Sequence, residues 1–360
     1  MAKDKYVLIS PLNWGLGHAT RITPVIHYFL DRGFRVLLAA EGKALEFFRQ
    51  EFPQVQLVSL PGINVNYSKR TPLWLKVLFQ LPAILRGIYK ERKAFRQIVK
   101  DYPVSMVISD NRYGLWHKTI PTVFVSHQLH IQMPVALRIF EPLVDRMTRM
   151  LMKRFTVRWV PDFSDKDNLS GKLSHPSGIP DTHYIGPLSR LKPANVKTKY
   201  DFMVLLSGPE PQRTIFEQKV LAPEFLKNQS VVIVRGLPEK DPDFEAFPET
   251  EIYAHLSAQV LSEKMAASEF IICRSGYSTI MDLYQMQKPA VMVPTPGQTE
   301  QEYLVQHLKG KHFAAIAQKD FTLAKAIAAG EKLIPPPVGK QTDFTAFADD
   351  LIHRYLIPDA

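Results

Sequence analysis

The chain has 360 residues, 46% hydrophobic and 22% charged, a composition typical of soluble globular proteins that are long enough for two domains. One cysteine excludes an internal disulfide, no Cys or His spacing of a metal site occurs, and no apolar run reaches the ~18 residues of a membrane-spanning helix. The formal net charge of +10 favours an anionic partner, namely a nucleotide, a nucleic acid or an anionic membrane surface.

The first half of the chain alternates strands and helices in the rhythm of a parallel, doubly wound sheet. A strand directly after the N-terminus leaves no room for a signal peptide, so we expect a cytoplasmic protein. The predicted elements are strand 6–10, helix 20–32 ended by Gly33, strand 35–39, helix 43–52, strand 56–60, strand 104–109 and strand 122–126.

Two predicted helices, residues 72–100 and 136–154, carry many Lys and Arg side chains beside aromatic and aliphatic ones. Pro82 is expected to break or kink the first of them. Such helices are either solvated outer helices or surfaces that suit an anionic membrane. We expect no nucleic-acid partner, because the chain has no recognised nucleic-acid-binding module or aromatic platform.

A second series of strands and helices follows a linker that contains Pro and Lys. We therefore predict a first domain over 1–190, a linker over 191–199 and a second domain over 200–340. A closing helix is predicted within 341–360, packed back on the first domain. Two doubly wound domains bind ligands at the carboxyl ends of their strands, which predicts a cleft.

The loop after the first strand, residues 13–18 (NWGLGH), is a candidate ligand site. Gly15 and Gly17 let the backbone approach a ligand, and the start of the next helix favours negative charge. A complete dinucleotide fingerprint would need glycine where Thr20 stands, so the motif does not favour NAD. His18 is predicted to be a general base or to cap its own loop, and Asn13 is an acceptor-side candidate.

Two more polar residues follow predicted strands of the first domain. Asp110 follows strand 104–109 and His127 follows strand 122–126, so both are expected to face the cleft. Each is a candidate base or acceptor-binding group, with a loop-ordering hydrogen bond as the structural alternative.

The second domain carries its polar candidates where its strands end. Gly208 after Ser207 can open a small anion-accepting turn, or the pair is an ordinary turn. Arg213 is a candidate phosphate ligand or a solvated surface arginine. Cys273 ends an apolar strand and is predicted to be a buried structural thiol.

The stretch 270–307 has the form strand, tight loop, helix, strand, polar loop, helix. Ser275, Ser278 and Thr279 lie where the first helix begins, so their hydroxyls are expected to cap it or to contact a ligand. Asp282 is one turn beyond Ser278 on the same face. It is predicted to accept the hydroxyls of a ribose, with a solvated helix aspartate as the alternative.

Three segments together resemble the C-terminal domain of glycosyltransferase family 28: residues 273–282 (CRSGYSTIMD), residues 288–294 (KPAVMVP) and Gln301-Glu302. The loop 15–18 is similar to that family's N-terminal glycine loop, which also ends in His. The resemblance is clearest over residues 261–308. It implies a GT-B fold, with two Rossmann-like doubly wound domains, and an inverting, metal-independent transfer from a nucleotide-diphosphate sugar, UDP-linked, to a hydroxyl acceptor.

The resemblance also implies residue roles. Asp282 would hold the ribose where the family usually has Glu. Gln301 and Glu302 would contact the sugar, at a pair of positions where a well-known relative in the family has two Gln. The predicted catalytic base is His18 or Asp110. The predicted donor-binding residues are Gly17, Ser207, Gly208, Arg274, Ser275, Gly276, Ser278, Thr279, Asp282, Gln298, Gln301 and Glu302. The implied acceptor is a membrane or lipid-linked glycan of the cell envelope, and no cofactor beyond the donor is expected.

Two other functions stay open from the residues alone. A sugar-nucleotide epimerase can share this fold, but it needs acid and base carboxylates in the cleft. A non-catalytic protein that binds nucleotides or lipid headgroups is the second. The basic helices also predict a peripheral location at the inner face of the membrane.

Overall fold

The computed structural model describes residues 5–62, 73–133, 135–221, 229–237, 249–337 and 344–356. The chain forms two compact units. The first comprises Met1–Leu188 and Gln341–Ala360, and the second comprises Ser189–Lys340.

Seven parallel strands form the sheet of the first unit, in the spatial order β3-β2-β1-β4-β5-β6-β7. The strands are Tyr6–Pro11 (β1), Arg35–Ala40 (β2), Gln56–Ser59 (β3), Val104–Asp110 (β4), Thr122–Val125 (β5), Val157–Val160 (β6) and Thr182–Tyr184 (β7). All six residues of β1 are buried, as expected for a central parallel strand with both faces covered. The strand order reverses between β1 and β4, so the sheet is doubly wound, as predicted.

The helices of the first unit differ from the prediction in two places. The α-helices before β6 are Gly17–Arg21 (α1), Thr23–Asp31 (α2), Gly42–Glu51 (α3), Leu73–Asp101 (α4) and Glu141–Met152 (α5). The predicted helix 20–32 is two helices that meet at Ile22, because the helical turn begins earlier, at the glycine loop. Pro82 lies inside α4 and does not end it, although an interior proline removes one backbone hydrogen bond of the helix.

Both basic segments keep their helical character with altered limits. The predicted start of the first at residue 72 lies outside the described residues. The second is a 3-10 turn, Val135–Phe140, that continues into α5. Its hydrophobic side chains therefore lie on two geometrically different helical segments.

The sheet of the second unit has six parallel strands in the order β10-β9-β8-β11-β12-β13. They are Tyr200–Leu205 (β8), Val231–Val234 (β9), Thr250–Tyr253 (β10), Ser268–Cys273 (β11), Ala290–Met292 (β12) and Phe313–Ala315 (β13). The helices are Gln212–Val220 (α6), Ala258–Ala266 (α7), Tyr277–Gln285 (α8), Thr299–Leu308 (α9) and Leu323–Gly330 (α10). A core that includes Phe202, Phe216 and Phe270 packs on this sheet. The order here reverses between β8 and β11.

The last α-helix, Phe344–Leu351 (α11), belongs to the first unit. The Tyr28 hydroxyl on α2 donates a hydrogen bond to the Asp349 carboxylate. Arg32 stacks its guanidinium 3.7 Å from the centroid of the Tyr28 ring and donates from Nε to Asp349 Oδ1 at 3.2 Å. Mixed polar and aromatic contacts thus hold α11 against α2.

Candidate active site

The first site lies where the strand order of the first sheet reverses. Pro11 at the end of β1 pairs in register with Asp110 at the end of β4. The glycine loop follows β1, and α1 begins at Gly17, so His18 lies in the first turn of a helix that starts at this edge. His18 Nδ1 is 3.2 Å from Asp110 Oδ2. The structure thus joins two of the predicted residues directly.

Asp110 is fully buried and ionised. Arg21 donates from Nε to Oδ2 at 2.9 Å, and its Nη2 donates to Oδ1. Burial alone would raise the pKa of Asp110, but the charges and hydrogen bonds of Arg21 and His18 outweigh it and lower the pKa to about 2. Asp110 is therefore a poor base, contrary to one of its three predicted roles, because the ion pair with Arg21 stabilises its ionised form.

His18 has the properties that a neutral base needs. Its side chain keeps 14% of its surface exposed. Burial lowers its pKa, the charge of Arg21 lowers it further, and Asp110 acts in the opposite direction. Because an ionised Asp110 can only accept a hydrogen bond, Nδ1 of His18 carries the proton and Nε2 has the lone pair.

His127 joins the same cluster through Arg21. Arg21 Nη1 lies 3.0 Å from His127 Nδ1, and His127 is buried after β5. Asn13, which follows β1, lies beside Gly42 at the start of α3, where a Cβ added to the glycine would be 3.3 Å from Asn13 Nδ2. The sequence analysis missed Arg21, although its position three residues after His18 places it on the adjacent turn of helix.

The second site lies at the corresponding reversal of the second sheet. Arg274, after β11, is buried, and its terminal nitrogens donate to the carbonyls of Val293 at 3.0 Å and Gln212 at 2.8 Å. Its guanidinium also lies 4.4 Å from the centroid of the Phe216 ring. Burial lowers its pKa to about 10. The guanidinium of Arg274 thus places a positive charge, hydrogen-bonded to backbone carbonyls, next to the carboxyl end of β11.

Gly208 borders a small open corner beside Arg274. Its φ is +103°, a value that favours glycine. A Cβ there would lie 3.5 Å from Thr295 Oγ1 and 3.9 Å from Arg274 Nε. Both atoms are buried and have no hydrogen-bond partner within the part of the chain that the structure describes. Two unsatisfied buried polar atoms at one corner indicate a place for a polar ligand or a water molecule.

The start of α8 differs from the expected capping. Gly276 is the N-cap residue, and no side chain caps the helix. The Ser275 hydroxyl donates instead to the carbonyl of Gln301 at 2.9 Å, which ties this turn to α9. Ser278 and Thr279 lie in the first turn of α8. Its N-terminus therefore retains the partial positive charge that attracts anions.

Asp282 lies one turn further along α8 and is half-buried. The Ser189 hydroxyl donates to its Oδ1 at 2.5 Å. Burial raises the pKa of Asp282 to about 6, although Ser189 and Arg190 act in the opposite direction. The predicted solvated aspartate is therefore excluded, and Ser189 is a partner that the sequence analysis missed.

The predicted sugar-side residues order the loop between β12 and α9. Gln301 Oε1 accepts from the Thr295 amide at 2.8 Å, and Glu302 Oε1 accepts from the Gly297 amide at 3.0 Å. Gln298 is the N-cap residue of α9 without a side-chain cap. These side chains stabilise the loop between β12 and α9.

Two other candidates have structural roles. Arg213 is buried and forms ion pairs with Glu210 and Glu217, so it is not the solvated surface arginine of the prediction. Cys273 is buried, and burial raises its pKa to about 12, which confirms the predicted structural thiol. Among the described residues, no group of three or more His, Cys, Asp or Glu is arranged to hold a metal ion.

The two doubly wound units have the GT-B glycosyltransferase fold, as predicted. The structure matches the glycotransferase of kitacinnamycin with a TM-score of 0.67 at 15% identity, over 98% of this chain and 99% of that one. It also matches MurG of Acinetobacter baumannii with a TM-score of 0.52 at 14% identity, over 97% and 99%. At these identities the likeness shows the fold alone.

Sequence comparison identifies the class of enzyme. Residues 212–354 match the glycosyltransferase family 28 C-terminal domain. A UDP-N-acetylglucosamine--N-acetylmuramyl-(pentapeptide) pyrophosphoryl-undecaprenol N-acetylglucosamine transferase of Methylobacterium sp. is 25% identical over 297 residues, 76% of this chain and 72% of that one. An uncharacterised glycosyltransferase of Methanopyrus kandleri is 20% identical over 282 residues, 75% and 79%. The protein is thus a glycosyltransferase with the GT-B fold, and the match of residues 212–354 to the family 28 C-terminal domain confirms the predicted resemblance.

Proposed function

We propose that the protein transfers a sugar from a UDP-linked donor to a hydroxyl acceptor with inversion at the anomeric carbon. The observation that carries this proposal is the pairing of His18 with Asp110, which leaves Nε2 of His18 as a proton acceptor. Nε2 removes the acceptor's hydroxyl proton while that oxygen bonds to the anomeric carbon and the bond to the diphosphate breaks. A single displacement of this kind inverts the anomeric centre.

The second unit supplies groups that suit the donor. The N-terminus of α8 and the corner at Gly208 suit the diphosphate, whose charge grows as it departs. Arg274 adds a fixed positive charge behind them. Asp282 has the position and the carboxylate to accept the two ribose hydroxyls. In this proposal these groups balance the leaving-group charge without a metal ion.

We propose the nucleotide of the donor from the names of the relatives, whereas the sugar of the donor has to be identified by experiment. The relative of Methylobacterium sp. is named for a UDP-linked donor and a pyrophosphoryl-undecaprenol acceptor. Glu302 bonds to the loop that would contact the sugar, and its charge differs from the Gln expected by resemblance. We therefore extend to this chain the UDP nucleotide but no particular sugar.

A donor screen tests the proposal. UDP sugars are expected to raise the melting temperature, because a ligand that binds only the folded state stabilises it. GDP and dTDP sugars at the same concentration should shift it less. With the best donor, NMR of the product should show the anomeric configuration opposite to that of the donor. Retained configuration, or no shift with any nucleotide sugar, contradicts the proposal.

We further propose that the first unit binds the cytoplasmic surface of an anionic membrane, where a lipid-linked acceptor is located. Exposed apolar side chains line the segment from residue 139 to residue 150, and they are Ile139, Phe140, Leu143, Met147 and Met150. Arg146, Arg149 and Lys153 line an adjoining cavity of about 460 Å³. No helix among the described ranges is long and apolar enough to cross a membrane. An apolar row flanked by cations suits the headgroup boundary of an anionic bilayer.

Replacement of Leu143, Met147 and Met150 by serine is expected to reduce binding to phosphatidylglycerol vesicles at least tenfold. Each inserted apolar side chain contributes about 1–2 kcal/mol, so three of them exceed the ~1.4 kcal/mol of a tenfold change. Vesicle flotation measures the bound fraction, and wild-type binding should fall with added salt. The matched control replaces Ile215 and Val260, exposed on the second unit, by serine. Equal loss in both variants would refute the proposed surface.

A further inference from the structure

We propose that Arg21 is a positioning residue that fixes the ring protons of His18 and His127 on opposite nitrogens. This inference rests on the proposed function, in which His18 is the base. It adds a role for a residue outside the glycine loop. The contacts that support this inference all lie within the first unit. They join Arg21 on α1 to Asp110 at the end of β4 and to His127 in the loop after β5.

On one side, Arg21 acts through Asp110. Two of its nitrogens, Nε and Nη2, bind the two carboxylate oxygens, so the carboxylate cannot rotate away from His18. Oδ2 accepts both from Arg21 Nε and from His18 Nδ1. The proton of neutral His18 is thereby held on Nδ1, and the lone pair is on Nε2.

On the other side, Arg21 acts directly on His127. A guanidinium has only donors, so the 3.0 Å contact between Nη1 and His127 Nδ1 requires a lone pair on that nitrogen. The proton of neutral His127 is then on Nε2. One arginine thus gives two nearby imidazoles complementary forms, an Nε2 acceptor at His18 and an Nε2–H at His127.

Lysine could not replace this arrangement. Its ammonium is a compact charge without the planar fork that spans both carboxylate oxygens and a ring nitrogen. The charged or titratable groups around His18 are Arg21 on its own helix, Asp110 from β4 and His127 from the loop after β5. Loss of the Arg21 charge leaves Asp110 as the dominant neighbour, which favours protonated His18.

Ring-labelled histidine NMR tests this inference without any substrate. Long-range nitrogen–proton correlations distinguish the two neutral forms, and His18→Asn and His127→Asn assign the signals. Wild-type protein should show Nδ1–H for His18 and Nε2–H for His127. In Arg21→Lys and Arg21→Met, His127 should show a mixture of both forms.

Kinetics give a second measurement on the same variants. In Arg21→Met, the pKa on the acid side of the kcat/KM profile should rise by about 1 pH unit, because the positive charge that disfavours protonated His18 is lost. In Arg21→Lys, which keeps the charge, this rise should be smaller. We expect kcat to fall roughly 10- to 100-fold, with the donor KM within about threefold of wild type. Arg112→Lys is the matched control: Arg112 is equally buried in the first unit and pairs with Glu91. It should leave both histidine forms unchanged.

Nδ1–H on His127 in the wild-type protein would overturn the inference, even if both Arg21 variants failed to fold. Unchanged ring forms in Arg21→Met would overturn it too. Failure of the proposed function looks different: the ring forms would be as expected while no nucleotide sugar supports transfer.

Discussion

Replacement of His18 by alanine is expected to lower kcat about 100- to 10,000-fold, the usual contribution of a general base. The Kd for the donor should change less than about threefold, because the groups proposed to hold the donor lie in the other unit. Single-turnover rates and calorimetry with the best UDP sugar measure the two quantities separately. A weaker donor complex with an intact rate would assign His18 to binding and not to proton transfer.

The chain offers a matched control for this experiment. His130 in the same unit also pairs its Nδ1 with a carboxylate, Asp145 Oδ2, at 3.0 Å. Its two ring nitrogens contact Asp145 on α5 and the carbonyl of Pro176. With a water-soluble acceptor, His130→Ala should keep kcat within about threefold of wild type, since loss of an imidazole–carboxylate pair alone then costs little. Equal losses in both variants would indicate destabilised folding and would remove the support for a base.

Replacement of Asp282 by asparagine is expected to weaken donor binding roughly 10- to 100-fold, with a smaller effect on kcat. A carboxylate can accept both ribose hydroxyls, and a hydrogen bond to a charged group contributes about 1.5–3 kcal/mol. The amide retains one acceptor oxygen, which Ser189 already uses. Asp320→Asn, on the exposed surface of the same unit, is the control. Unchanged donor affinity in Asp282→Asn would remove the ribose assignment.

The pH dependence of donor binding provides a signature of the same group. Burial raises the folded-state pKa of Asp282 to about 6, above the 3.8 of an unperturbed aspartate. In the free protein this group therefore favours folding below pH 3.8 and loses that contribution as pH rises through 6. Ribose hydroxyls bind best to the ionised form, so donor affinity should fall up to about tenfold per unit below pH 6. Asp282→Asn should lack this slope between pH 5 and pH 7.

The positions of the main candidates follow from alternation along the chain. Short apolar runs predicted the strands, and polar residues directly after them predicted the edge of each sheet. Asp110 and His127 were identified in this way, because a doubly wound sheet brings its strand ends to one edge. His18 was identified from the glycine loop after the first strand, and Asp282 from its position one helical turn beyond Ser278. The sheet orders add that β1 lies beside β4 and β8 lies beside β11.

The partners of these residues could not be predicted in the same way. Arg21 reaches Asp110 across 89 positions, and Ser189 reaches Asp282 across 93. Neither belongs to a recognisable motif, since a buried ion pair depends on packing between elements that are distant along the chain. The prediction that the Ser275 hydroxyl caps α8 failed for a similar reason, because the hydroxyl donates to the Gln301 carbonyl on α9, 26 positions away.

Because α11 belongs to the first unit, that unit is built from two separate segments of the sequence. The second unit, Ser189–Lys340, is a continuous insertion, whereas the first is assembled from both ends of the chain. A gene fragment for the second unit alone therefore encodes all of its strands and helices. A fragment that stops at Leu188 leaves Tyr28 and Arg32 without Asp349. The family 28 match ends at residue 354, beyond α11, so boundaries taken from it would join an orphaned helix of the first unit to the second.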